Sequence, residues 1–222
     1  MGEVAIVIAA YNEEERLQTT IQKLRKQGHK NIIVVDDASK DKTATIAKQN
    51  NATLLQHLIN RGQGAALRTG INYALQQEYS IIVTYDADDQ FEAKEVVDMI
   101  RPIQENKADI TLGSRFLGEA KNIRLTKKIV LKLGILVTAI FSGLWLTDTH
   151  NGFRAMNRKA AKKIRISFDR MEHASEIIEE IATHKLRYAE VPVTVHYHEE
   201  GQKPIRSIIL GVKLLIKKVI GW

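Results

Sequence analysis

Over the first ninety residues, short continuous apolar runs alternate with stretches in which apolar residues recur every three or four positions. Val4 to Ala9, Ile32 to Val35 and Ser80 to Tyr85 are runs of the first kind, and a shorter one covers Thr53 to Gln56. Between them, Leu17, Ile21 and Leu24 fall on one side of a helix predicted from Glu13 to Gln27, and further helices are predicted from Lys42 to Asn50 and from Gly64 to Gln77. Strands that are apolar throughout and separated by helices predict an α/β fold, with a mostly parallel central sheet covered on both faces. Ligands of such sheets gather beyond the carboxyl ends of the strands.

Two later segments depart from this alternation. Residues 129 to 147, IVLKLGILVTAIFSGLWLT, are mostly apolar over nearly the length of a bilayer span and are interrupted by Lys132. Periodicity leaves two readings open, a buried helix or one lying in a membrane surface. Residues 205 to 222, IRSIILGVKLLIKKVIGW, set Lys213, Lys217 and Lys218 beside an apolar helical face and end in Trp, which predicts an amphipathic membrane-associating helix.

Composition narrows the classes of function. The absence of cysteine excludes a disulfide framework, a thiolate zinc site and a Cys nucleophile, and it permits the cytosol. The first apolar run has no basic leader and is followed by acidic residues, so it reads as a strand and not as a signal peptide. A net charge of +7, from 33 Lys and Arg against 26 Asp and Glu, suits an anionic partner. Nucleic acid is not the expected one, because the aromatic residues do not cluster with the basic ones as a stacking platform requires.

Candidate chemistry lies where strands end. AAYNEEE follows the first strand, DDASKD the second and DADDQ the strand that closes at Tyr85. A single acidic strand end would be explained by helix capping or turn formation; three along one edge point to a site. Asp86, Asp88 and Gln90 alternate, so they project to one side if the chain stays extended. Their oxygens suit Mg²⁺ or Mn²⁺, an ion that takes one or two protein carboxylates and completes its shell with phosphate and water. NRGQGAALRTG lacks the order of a phosphate-binding loop and the third glycine of a dinucleotide fingerprint, so it reads as a glycine-rich turn opening a helix. His196 and His198 in HYHEE read as a half-exposed strand end and not as a metal site.

Taken in order, AAYNEEE, VVDDASKDKT, NRGQGAALRTG, YDADDQF, GSRF, DTHNGFRAM and EVPVTVHYH resemble the family-two inverting glycosyltransferases with a GT-A fold. The likeness is to the branch of dolichol-phosphate mannose synthase and bacterial polyprenyl-phosphate glycosyltransferases. It implies that Tyr11, Asn12 and Glu13 line a nucleotide-sugar pocket, with Asp37 at the base or ribose. Asp86 and Asp88 would be the metal-binding pair, with Gln90 as a further ligand, Asp86 also at the nucleotide sugar, and Asp88, Arg115 and Asp148 as the catalytic groups. Arg115 would meet a donor or acceptor phosphate, while Asp148 and the Gly152-Phe153-Arg154 turn shape the acceptor side. Arg124, Lys127 and Lys128, with Arg154 and Lys203, would bind lipid phosphate. The chain departs from the branch at Phe91 and Glu92, where His and Pro are usual, and in HEEGQKP, which puts His198 where the branch has Arg.

The expected organisation is a catalytic core over residues 1–160, the rest of the catalytic domain and the acceptor side over 161–204, and the membrane-associating helix over 205–222. The expected activity is metal-dependent transfer of a sugar from a UDP- or GDP-sugar to a polyprenyl or dolichyl phosphate on the cytoplasmic face of a membrane. A homo-oligomer or a separate membrane subunit is compatible with it. Because a lipid phosphate is already ionised, positioning and charge neutralisation suffice; a glycan hydroxyl acceptor, the alternative, would need a carboxylate base such as Glu172, Glu176 or Asp148. A catalytically silent sugar-nucleotide-binding or membrane-docking module is the alternative of another class.

Overall fold

The computed structural model describes residues 3–197. Its first half follows the predicted alternation: β1 (Val4–Ala10), α1 (Leu17–Lys26), β2 (Asn31–Asp36), α2 (Thr43–Gln49), β3 (Thr53–Gln56), α3 (Gln63–Gln76) and β4 (Ile81–Asp86). After α4 (Val96–Gln104) come β5 (Ile110–Lys121), α5 (Leu125–Ser142), β6 (Arg154–Asn157), α6 (Arg158–Lys163), α7 (His173–Thr183) and β7 (Tyr188–His196).

The seven strands form one sheet in the order β3-β2-β1-β4-β6-β5-β7. The pairs β1–β2, β1–β4, β2–β3 and β5–β7 are parallel, whereas β6 is antiparallel to both of its neighbours, β4 and β5. Alternate residues of the central strands serve opposite faces: Ile6, Ile8, Val34 and Val83 pack with α1 and α4, while Val7, Ile33, Val35 and Ile82 pack with α3 and α7. Both faces are covered, which is why these strands read as continuous apolar runs.

Two expectations change. The first helix starts at Leu17 and not at Glu13, because the preceding residues turn: Asn12 has φ +55°, and Arg16 and Leu17 both donate to the Glu13 carbonyl. The segment 129–147 forms α5 only as far as Ser142, where Gly143 caps it at φ +72°. That helix is not buried all round, since Leu125, Ile129, Leu133, Leu136 and Ile140 lie exposed at spacings of three and four. Among the described residues no helix is long and apolar enough to cross a membrane. The helix expected over 205–222 lies outside the described residues, as do His198 and Lys203.

Candidate active site

The loops beyond β1 and β2 are laced into one ledge. The Asn12 amide donates to Ser39 Oγ and its side-chain Oδ1 accepts from the Lys40 amide, at 2.9 Å each. The Glu13 amide donates to Thr43 Oγ1 at 2.8 Å, and Glu14 exchanges bonds with Asp41 and with the Lys42 amide. Asn12 therefore joins the loops. Asp37, buried at the end of β2, holds the next loop: its carboxylate pairs with His57 Nδ1 at 2.7 Å and accepts from the amides of Arg61 (3.0 Å) and Gly62 (2.6 Å). Above this ledge lies a cavity of about 660 Å³, within the range of small-molecule sites, lined by Tyr11, Glu13, Asp37, Asn60, Gln63, Asp86 and Asp88. Its far wall is Arg170, Met171 and Glu172.

The DxD carboxylates sit at the mouth of β4. Asp86 Oδ1 accepts from Gln63 Nε2 at 3.0 Å, and Asp88 Oδ1 from the Gln90 amide at 3.2 Å. Gln90 also accepts from the His196 amide through its carbonyl, so the contacts seen at this position are made by backbone. Burial, and then the charge of Asp88, raise the Asp86 carboxyl to about 7; the same two causes raise Glu13 to about 7. Acidic groups that resist ionising side by side are what a divalent cation stabilises. Gly152 keeps that space open, because a Cβ there would stand 2.5 Å from both Asp86 carboxylate oxygens. No group of three or more His, Asp or Glu side chains is arranged as a metal cage among the described residues. A pair of carboxylates completed by substrate phosphates is the arrangement Mg²⁺ commonly uses, so Asp86 and Asp88 fit Mg²⁺ or Mn²⁺.

The acceptor-side residues form a second cluster. The β5–β7 register jumps between Ser114 and Glu119, and Arg115 stands where the bulge begins. Arg115 Nε meets Asp148 Oδ2 at 2.5 Å, Nη2 donates to the His150 carbonyl at 3.0 Å, and Nη1 donates to the Tyr197 hydroxyl. Lys127, in the first turn of α5, stands 4.3 Å above the centroid of the Tyr197 ring. Its ammonium is lowered by burial and by Arg115, against a favourable pull from Asp88, which places it within electrostatic reach of the metal pair. Arg124 and Lys128 are exposed beside it.

Arg115 and Arg154, both expected at a phosphate, are 7% and 2% exposed. The inward pleat of β5 and β6 buries them, and each has carboxylates as its near charges. Arg154 faces Asp86 and Asp148, is lowered to about 10 by burial, and leaves Nη1 without a hydrogen-bond partner. Its charge acts on Asp86 and Asp148. Of the carboxylates considered as bases, Asp148 is ion-paired and buried, Glu176 accepts from the amides of Ser167 (2.9 Å) and Phe168 (3.1 Å), and Glu172 lines the cavity.

Sequence reasoning did not single out Gln63, Tyr197, Arg170 or Met171. The signal for the last two was present in NRGQG. A Cβ on Gly64 would come within 2.1 Å of the Phe168 carbonyl, and one on Gly62 within 2.5 Å of the Asp169 carbonyl. Those glycines admit the loop before α7, which Asp169 ties to Arg61 and Arg68. The turn is thus a seat for the far wall of the cavity.

Comparison with known proteins agrees with this geometry. At 31% identity, the chain matches a UDP-N-acetylglucosamine–dolichyl-phosphate N-acetylglucosaminyltransferase of Methanococcus voltae, over 96% of this chain and 94% of the relative. It is 28% identical to an undecaprenyl-phosphate mannosyltransferase of Micrococcus luteus, over 94% and 89%. Among solved structures, glucosyl-3-phosphoglycerate synthase from Mycobacterium tuberculosis, in complex with Mn²⁺, UDP and glucosyl-3-phosphoglycerate, superposes with a TM-score of 0.78 at 16% identity, covering 99% of this chain and 79% of that one. This is a likeness of fold, the GT-A fold. The model of glycosyl transferase family 2 matches residues 5–165, and with the strand-end site in place the chain belongs to that family of glycosyltransferases.

Proposed function

We propose that this glycosyltransferase moves a sugar from a UDP- or GDP-sugar to a polyprenyl or dolichyl phosphate, with inversion, at a membrane surface and with Mg²⁺ or Mn²⁺ bound. The observation that carries the reading is the pairing of the Asp86–Asp88 carboxylates with the Arg115–Tyr197–Lys127 group at the start of α5. One group suits the diphosphate of a donor, and the other suits an anionic acceptor. The names of the two relatives support a lipid-phosphate acceptor.

In this reading the nucleoside lies over the ledge of Tyr11, Glu13 and Asp37, and Asp86 and Asp88 hold the ion. A bound divalent ion supplies neutralisation of the departing diphosphate. Lys127 draws in the acceptor phosphate, while buried Arg115 and Arg154 set the field that keeps the site receptive to anions. A phosphate monoester is ionised at neutral pH, so no proton has to be removed before attack. That requirement accords with Asp148 and Glu176 being engaged elsewhere. The exposed row from Leu125 to Ile140, continued by exposed Trp145, supports a helix lying on lipid with Arg124 and Lys128 at its headgroup end. In this reading the enzyme works on the cytoplasmic face as a peripheral protein, with residues 205–222 as a second contact.

The test is nucleoside diphosphate release by the full-length chain with Mn²⁺ or Mg²⁺, a panel of UDP- and GDP-sugars, and undecaprenyl or dolichyl phosphate present or absent. Release is expected to require one lipid phosphate, to stop on chelation, and to be lost in Asp88→Ala without a change in Tm. Release indifferent to lipid would shift the acceptor to a glycan hydroxyl, with Glu172 as the base. No release with any donor and lipid would overturn the reading.

A further inference from the structure

We infer that Tyr197 is a positioning residue of the acceptor site, holding Arg115 at its hydroxyl and Lys127 over its ring so that Lys127 is presented to an incoming phosphate. The inference rests on the acceptor reading above. Tyr197 follows β7 directly, is 5% exposed, and is fixed by its amide, which donates to the Lys121 carbonyl at 3.1 Å. Ring orientation is set by Arg115, whose Nη1 donates to the phenol oxygen while Nε is locked to Asp148 at 2.5 Å. Arg115 is thereby immobile. Lys127 comes from another element, α5, and its ammonium lies 4.3 Å above the ring centroid.

The chemistry of that contact matters. A ring face attracts an ammonium through its quadrupole and leaves the formal charge in place. The ring contacts two cations that repel each other, Arg115 at its hydroxyl and Lys127 above its face, and so sets their relative position. A phosphate that arrives at Lys127 then meets a preorganised charge, with Arg115 behind it and the Asp86–Asp88 pair within electrostatic reach. Tyr197 touches neither substrate in this account; it acts through Lys127.

The experiment is calorimetric binding of farnesyl phosphate, farnesol and inorganic phosphate to full-length wild type, Tyr197→Phe, Tyr197→Leu, Lys127→Met and the Lys127→Met/Tyr197→Leu double variant, each also titrated with UDP. Tyr197→Leu is expected to weaken farnesyl phosphate by about tenfold, the scale of a partly desolvated cation–ring contact, whereas Tyr197→Phe, which keeps the ring, stays within about threefold. In the Lys127→Met background Tyr197→Leu should add nothing, because its effect runs through that ammonium. UDP affinity should not change. Equal farnesyl phosphate affinity in Tyr197→Leu and wild type, a parallel loss of UDP binding, or an undiminished effect without Lys127 would each overturn the inference. A wild type that binds farnesol as well as farnesyl phosphate would instead overturn the lipid-phosphate reading and the role of Tyr197 with it, and tight inorganic phosphate would show that the headgroup alone is read.

Discussion

Asp148 shows how a buried charged side chain can fix the position of another. Its carboxylate is 1% exposed and accepts from both the backbone amide and Nε of Arg115. Removing one partner of a buried pair leaves the other desolvated and uncompensated, so Asp148→Ala should destabilise the fold by about 3–5 kcal/mol, and urea unfolding measures this. Asp88→Ala, at a strand end, should show no comparable loss. The contrast explains what was legible at this scale. Asp86 and Asp88 were found because polar, acidic strand ends recur three times along one edge. The burial of Arg115 was not, since nothing in its own neighbourhood announces a partner 33 residues away, as Asp148 is.

Elements carry the next level of consequence. Gly64 lies at the start of α3 and accommodates the Phe168 carbonyl, so Gly64→Ala has to push the loop before α7 away from the cavity. We expect UDP-sugar affinity to fall about tenfold or more, through lost preorganisation of the far wall, with a smaller loss of stability; calorimetry and thermal melting separate the two. On α5, Leu133 and Ile140 are 58% and 68% exposed. Changing both to Ser should leave Tm unaltered but reduce partitioning onto anionic vesicles by about a hundredfold, given roughly 1.5 kcal/mol per buried aliphatic side chain. Unchanged sedimentation would refute the membrane-facing role of this row. The strands and helices of the first half were readable because each strand is apolar on both faces. β6, four residues reading RAMN, has no such pattern, and only its neighbours β4 and β5 make it a strand.

For the whole molecule, two buried histidines tie stability to pH. Burial lowers His150 and His173 to about 4 in the folded protein, while the unfolded chain protonates them near 6.5. Between these values the unfolded state binds more protons, so their contribution falls as pH drops from about 6.5 to about 4. Glu13 and Asp86 act in the opposite sense, because their raised carboxyls take up protons in the folded state first. Comparing wild type with His173→Gln isolates one histidine: the stability gap between them should shrink by about 3 kcal/mol from neutral pH to about pH 4 in urea titrations. A constant gap would mean that His173 is not held neutral.

The position of β6 also bears on how the chain comes into being. β1 to β4 are complete, and mutually paired, once residue 86 has been made. β5 follows at residue 110, yet it reaches β4 only through β6, and its other neighbour, β7, begins at residue 188. A ribosome therefore releases β1 to β4 first, and β5 waits as an unpaired twelve-residue strand for more than thirty further residues. Pairings this distant in sequence are slow to form, and an open strand edge invites association with other chains. During synthesis, then, the second half of the chain is the half most in need of protection.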